Sequence, residues 1–97
     1  MKPEEVKSRA DRYAGWFGPR LRELRDKAGL TQAALAKAIG MSQARIAEYE
    51  GPKAFRPSWE TVLRLCFALD IEPQAFMREP VEKENAESRL TSNLDGV

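Results

Sequence analysis

The chain of 97 residues contains no histidine and one cysteine, Cys66, so the side chains that most often carry acid–base, nucleophilic or zinc chemistry are nearly absent. The sequence has no glycine-rich phosphate loop and no clustered metal ligands. The adjacent carboxylates Glu4-Glu5 stand at a helix start, where they favour the helix dipole. No catalytic residue, metal or cofactor is expected, and neither is a membrane span, because no apolar run approaches ~20 residues. What remains is hydrogen-bonding chemistry. Gln43, whose amide donates and accepts at once, follows Ser42 at the head of a short segment that also holds Ala44, Arg45 and Glu48. Such a set can read a surface but cannot transform it. Gln32, Lys53 and Arg56 add polar and cationic groups nearby in sequence.

Stepwise helical signals surround these residues. Pro3 at a first helical position, the acids Glu4 and Glu5, and Val6, Ala10, Tyr13 and Phe17 at helical spacing predict an amphipathic helix. It should end near Gly15, because Gly18-Pro19 breaks the pattern. A second helix should run from Pro19 to Gly29 with Leu21, Leu24 and Ala28 on one face. Thr31 should cap Gln32–Ile39, with Gly40 as its stop, and Ser42 should cap Gln43–Glu50, closed by Gly51-Pro52. Ser58 should cap Trp59–Leu69, with Trp59, Val62, Cys66 and Leu69 on a core-facing stripe, and a last short helix should begin near Pro73. No segment alternates as a strand does, so the expected class is all-α with five or six helices.

The helices 32–39 and 43–50, joined by Gly40-Met41-Ser42, have the layout of a helix-turn-helix. Around that layout the residues Leu24-Arg25, Gly29-Leu30-Thr31-Gln32, Leu35-Ala36, Ile39-Gly40-Met41-Ser42, Ile46, Tyr49-Glu50, Pro57, Val62, Leu65-Cys66, Ala68-Leu69 and Ile71 form one run. From Leu21 to Phe76 this run resembles the DNA-binding domain of the lambda repressor, Cro and XRE group. The resemblance implies a lambda repressor-like five-helix bundle, here with an extra amino-terminal helix.

Ile46 and Tyr49, three apart and apolar, mark the buried side of the helix 43–50, which leaves Gln43, Ala44, Ala47 and Glu48 facing outward. In a DNA major groove the Gln43 amide would suit adenine N6/N7, and Ala44 would suit a thymine methyl. Glu48 either accepts from a cytosine amine or stands clear of the groove. The resemblance implies base reading at Gln43, Ala44 and Glu48 and phosphate contacts at Gln32 and Ser42, and it pairs the side chains of Gln32 and Gln43. Lys53 and Arg56 match positions that run along the DNA backbone, and Arg45 borders the reading face. Phe67, where the family commonly has a charged residue, is either a contact with a second protomer or another protein, or folds back on Trp16 or Phe17. Trp16, Phe17 and Phe67 are therefore candidates for a partner or dimer surface. Trp59 and Cys66 are expected in the core.

The resulting division is an amino-terminal extension over 1–18, a helix-turn-helix domain over 19–78 and an acidic, mobile tail over 79–97. Residues 1–78 carry 14 Lys/Arg against 10 Asp/Glu, and residues 79–97 carry 2 against 5. This mildly basic-then-acidic balance permits a nucleic-acid partner without requiring one. The expected function is a sequence-specific double-stranded DNA-binding regulator. One helix reads only a few base pairs, so a homodimeric repressor on an inverted repeat is expected. The alternative is an antitoxin-type protein that neutralises a partner through its amino-terminal helix or tail while binding its own operator. No amino-terminal stretch has the build of a signal peptide, and the expected location is the cytoplasm, on the nucleoid if the source is prokaryotic.

Overall fold

Three hydroxyl side chains set where helices begin. Thr31 accepts a hydrogen bond from the Ala34 amide, Ser42 from the Arg45 amide and Ser58 from the Thr61 amide, each satisfying a donor that the first helical turn leaves unpaired. The computed structural model describes residues 1–53 and 56–80. In it α1 spans Pro3–Lys27, α2 Gln32–Ile39, α3 Gln43–Glu50 and α4 Trp59–Leu69, and a 3₁₀ turn closes the bundle at Pro73–Met77. No strand occurs among the described residues. The class is therefore the expected all-α one, with four α-helices and a last element wound as 3₁₀ rather than α. The tail expected to be mobile lies, from residue 81 onward, outside the described residues.

One helix stands where two were expected. Pro19 lies inside α1, which continues unbroken for 25 residues, so the anticipated ends near Gly15 and at the 18/19 boundary are not there. An interior proline removes one helical hydrogen bond and crowds the carbonyl four residues back, at a cost of about 3 kcal/mol. The packing on both sides of it offsets this cost. Phe17 and Gly18 before the proline and Leu21 and Leu24 after it are all buried, and the three hydrophobic ones belong to one core. A chain that left the helix at Pro19 would turn one of these pairs away from that core.

The core joins Phe17, Leu21 and Leu24 of α1, Leu35, Ala36 and Ile39 of α2, Ile46 and Tyr49 of α3, Leu65, Cys66 and Leu69 of α4, and Phe76. Phe17 meets Phe76 with ring centroids 4.9 Å apart and stands edge-on to Tyr49 at 6.0 Å. Phe17 is thus a core residue, which corrects its assignment to a partner surface. Trp59 is corrected in the opposite sense, being 65% exposed. It occupies the first turn of α4, where the stripe it shares with Val62 and Cys66 runs past the end of the core. Asp70 ends α4 in the left-handed conformation, with φ 55° and ψ 50°, a place usually filled by glycine that Asp tolerates better than most residues.

α1 also packs against α3, and Gly18 marks the closest approach. A Cβ at this position would run into the backbone oxygen of Tyr49, whereas one at Gly15 would meet nothing. Gly18→Ala is expected to lower stability by about 1–3 kcal/mol, and Gly15→Ala to raise it by about 0.5–1 kcal/mol, in urea denaturation. Burial pushes the Cys66 thiol above its ordinary pKa, and the nearby charge of Glu72 adds to the effect. The thiol therefore stays protonated near neutral pH, and its reaction with a disulfide reagent should be slower by roughly an order of magnitude or more in native than in urea-unfolded protein.

Candidate nucleic-acid interface

α3 is an eight-residue helix whose two faces differ sharply. Ile46 is fully buried and Tyr49 nearly so, while Gln43, Ala44, Arg45, Ala47 and Glu48 are exposed. The three expected base-reading residues thus share an outward surface, with Gln43 and Ala44 in the first turn. Ser42 caps the same turn. Its oxygen accepts from the Arg45 amide at 3.2 Å, which leaves its hydroxyl hydrogen available for another acceptor such as a phosphate. Arg45 lies 3.4 Å from Glu48, one helical turn away, so the carboxylate on this face has a cation beside it that offsets part of its repulsion for phosphates.

A buried charged cluster holds α3 in place. Arg25, near the end of α1, donates from Nε to Glu50 Oε2 at 2.7 Å and from Nη2 to Glu50 Oε1 at 3.0 Å. Its Nη1 donates to the Leu30 carbonyl at 2.8 Å. Gln32, the first residue of α2, donates from Nε2 to Glu50 Oε1 at 3.2 Å. The Arg25 and Glu50 side chains are only 11% and 4% exposed. The forked guanidinium therefore ties the last residue of α3 to α1, to the turn before α2 and, through Gln32, to α2 itself. This arrangement replaces the expected Gln32–Gln43 pair: no hydrogen bond joins those two side chains, because Glu50 is the stronger acceptor within reach of Gln32.

Arg25 and Glu50 had no assigned role in the sequence reading. The signal was nonetheless there, as both are charged residues inside an otherwise apolar motif. Arg22 likewise had no assigned role. It borders a polar recess of about 310 Å³ with Arg25, Gln32, Ala47, Glu50 and Gly51, beside α3.

The remaining candidates are spread over other faces. Lys53 is exposed just beyond α3. Arg56 reaches α1, where Nη2 lies 3.4 Å from Asp11 Oδ1, and it lines a groove between α1 and α4. Lys7, with Arg56 adding to it, holds the Asp11 carboxyl below the usual carboxylate range. Trp16 is half-buried, edge-on to Tyr13 at 4.6 Å. Phe67 is 84% exposed on α4 and does not fold back on Trp16 or Phe17. No group of three or more His, Cys, Asp or Glu placed to hold a metal ion occurs among the described residues. No helix there is long and apolar enough to cross a membrane.

A helix-turn-helix scaffold presenting a short polar helix is a fold used for recognition, and the comparisons with known proteins agree. A family model described as a helix-turn-helix domain matches residues 16–77, and the chain belongs to that family. Among solved structures it is similar to the restriction-modification controller protein C.AhdI from Aeromonas hydrophila, at 38% identity and a TM-score of 0.60. That match covers 65% of this chain and 94% of the other. No curated protein gives a significant match.

Truncating one member of a buried, hydrogen-bonded ion pair leaves the other charged and desolvated. Glu50→Ala is therefore expected to destabilise the fold by about 3–5 kcal/mol in chemical denaturation. The exposed Glu48→Ala should change stability by less than about 0.5 kcal/mol.

Proposed function

We propose that the protein is a sequence-specific double-stranded DNA-binding transcriptional regulator, and that it represses as a homodimer on an inverted repeat. The observation that carries this reading is α3, whose polar face is fully outward while its apolar face and last residue are fixed to the rest of the bundle. An α-helix of this kind fits the major groove, where its amino-terminal residues meet base edges. Gln43 and Ala44 read bases, as Glu48 does where a cytosine amine is in reach. Ser42, Gln32, Arg45 and Lys53 contact phosphates, Arg22 joins them from the recess beside α3, and Arg56 does so when it leaves Asp11. The likeness to a restriction-modification controller supports a regulatory rather than an enzymatic role. The site of action is the cytoplasm, or the nucleoid of a prokaryotic source.

A second reading, an interaction protein of antitoxin type, draws support from one observation, the exposed Phe67 on α4. Capture of a partner by the full chain that is lost in Phe67→Ala would favour it.

The primary reading is tested by selecting bound sequences from a random duplex pool near physiological salt. Enrichment of an inverted repeat with half-sites about one helical turn apart is expected. Gln43→Ala should then cost about 1–3 kcal/mol and relax preference at one position of each half-site. Lys53→Ala should weaken all sequences alike and lower the salt slope by about 1. An unenriched pool, or full affinity in Gln43→Ala, would overturn the assignment.

A further inference from the structure

The first half of α1 is a helix with little to rest on. Residues 1–12 are all exposed, and the family match begins only at residue 16. The segment from Pro3 to Gly15 extends about 20 Å at the usual helical rise. An isolated helix this short is marginal in water, because helices owe most of their stability to burying an apolar face. This one has such a face: Val6, Ala10 and Tyr13, spaced four and three apart, with Val6 52% exposed. The stripe runs straight into a groove of about 360 Å³ at the base of the arm. Tyr13, Trp59, Val62 and Met77 are among its walls, and Trp59 and Met77 remain 65% and 57% exposed. Two large apolar side chains left open beside a bare amphipathic helix call for a cover.

We propose that the cover is the same arm of a second copy, packed antiparallel across a two-fold axis. The charge order along the arm selects this occupant. Glu5, Arg9 and Arg12, also spaced four and three apart, run down one edge of the apolar stripe, acid at the tip and bases toward the groove. Antiparallel arms bring the same edge of each helix together, so Glu5 of one lies against Arg9 and Arg12 of the other. A parallel pair would instead set this edge against the opposite edge of the partner, where Lys7 and Asp11 already pair with each other, and would forgo these contacts. In the same register Val6 opposes Ala10 and Pro3 opposes Tyr13, which carries the tip of one arm, with Met1, toward the partner's Trp59 and Met77. The opposite edge has its charges satisfied within one chain, through Lys7–Asp11 at 2.8 Å and Arg56–Asp11 at 3.4 Å. The contact is isologous, ridge and groove being present on each copy. It leaves Gln43, Ala44 and Glu48 uncovered, since none of them lines the groove. The inference rests on the homodimeric reading above and gives that dimer its interface.

The test is sedimentation velocity of the full chain across a concentration series, with circular dichroism to verify folding of each variant. All three substituted charges are exposed, and because Glu5→Arg also removes a favourable carboxylate from the first turn of α1, the circular dichroism signal separates fraying of the arm from loss of the interface. Wild type is expected to dimerise. Glu5→Arg alone and the pair Arg9→Glu with Arg12→Glu should each weaken the dimer about ten-fold or more, and combining all three should restore most of the loss. A monomeric wild type, a dimer indifferent to these changes, or a combined variant no better than its parents would overturn the inference. An indifferent dimer that dissociates in Phe67→Ala would place the interface on α4 and leave the homodimeric reading standing. Arm variants that behave as expected while wild type enriches no DNA sequence would retain the interface and reject the regulator.

Discussion

The Arg25–Glu50 pair is the constraint on which the rest of the molecule turns. Both oxygens of one carboxylate are taken by one guanidinium, and the third nitrogen of that guanidinium donates to the Leu30 carbonyl. A buried ion pair of this kind contributes little net stability, because removing two charges from water costs nearly as much as their attraction returns. Its effect is geometric. The planar fork accepts one arrangement of the carboxylate, so the end of α3 can take one position relative to α1 and to the start of α2. Gln32, donating to the same carboxylate, extends the constraint to the helix-turn-helix itself.

Position matters for α3 because it is only eight residues long and has one apolar face. Left to its own propensity such a helix would be marginal. Ile46 and Tyr49 anchor it in the core, the Ser42 cap fixes its start and Glu50 fixes its end. Gln43, Ala44 and Glu48 are thereby presented on a rigid element, and a rigid presentation reduces the entropy lost on binding. Gly18 serves the same purpose from the other side: with no Cβ, it lets α1 lie directly on the backbone of Tyr49.

The continuity of α1 links the two ends of the protein. A single helix carries the exposed arm, passes the close contact at Gly18 and ends at the Arg25 clamp. Any partner that fixes the arm therefore also fixes the direction in which α3 points, through one continuous helix. Two copies joined by their arms, as proposed, would hold their two α3 helices at a set separation, which the proposed recognition of an inverted repeat requires.

The caps, the short turn at Gly40-Met41-Ser42, the inward Ile46 and Tyr49 and the outward Gln43, Ala44 and Glu48 were all legible in the sequence, because each depends on neighbours within a turn or two of helix. The candidate reading face was legible for the same reason. Pro19 misled because local sterics argue for a break, while burial of Phe17 and Leu21 in a common core, invisible locally, carries the helix through. Trp59 misled because its spacing fits the core stripe but the core ends before reaching it. The partner of Gln32 and the turn of Arg56 toward Asp11 were set by residues 18 and 45 positions away. Local sequence thus determined where α2, α3 and α4 begin and end and which face of α3 is apolar. Tertiary structure alone decided which ends are clamped, which are covered and which are left open to a partner, since those outcomes depend on contacts between residues far apart in the chain.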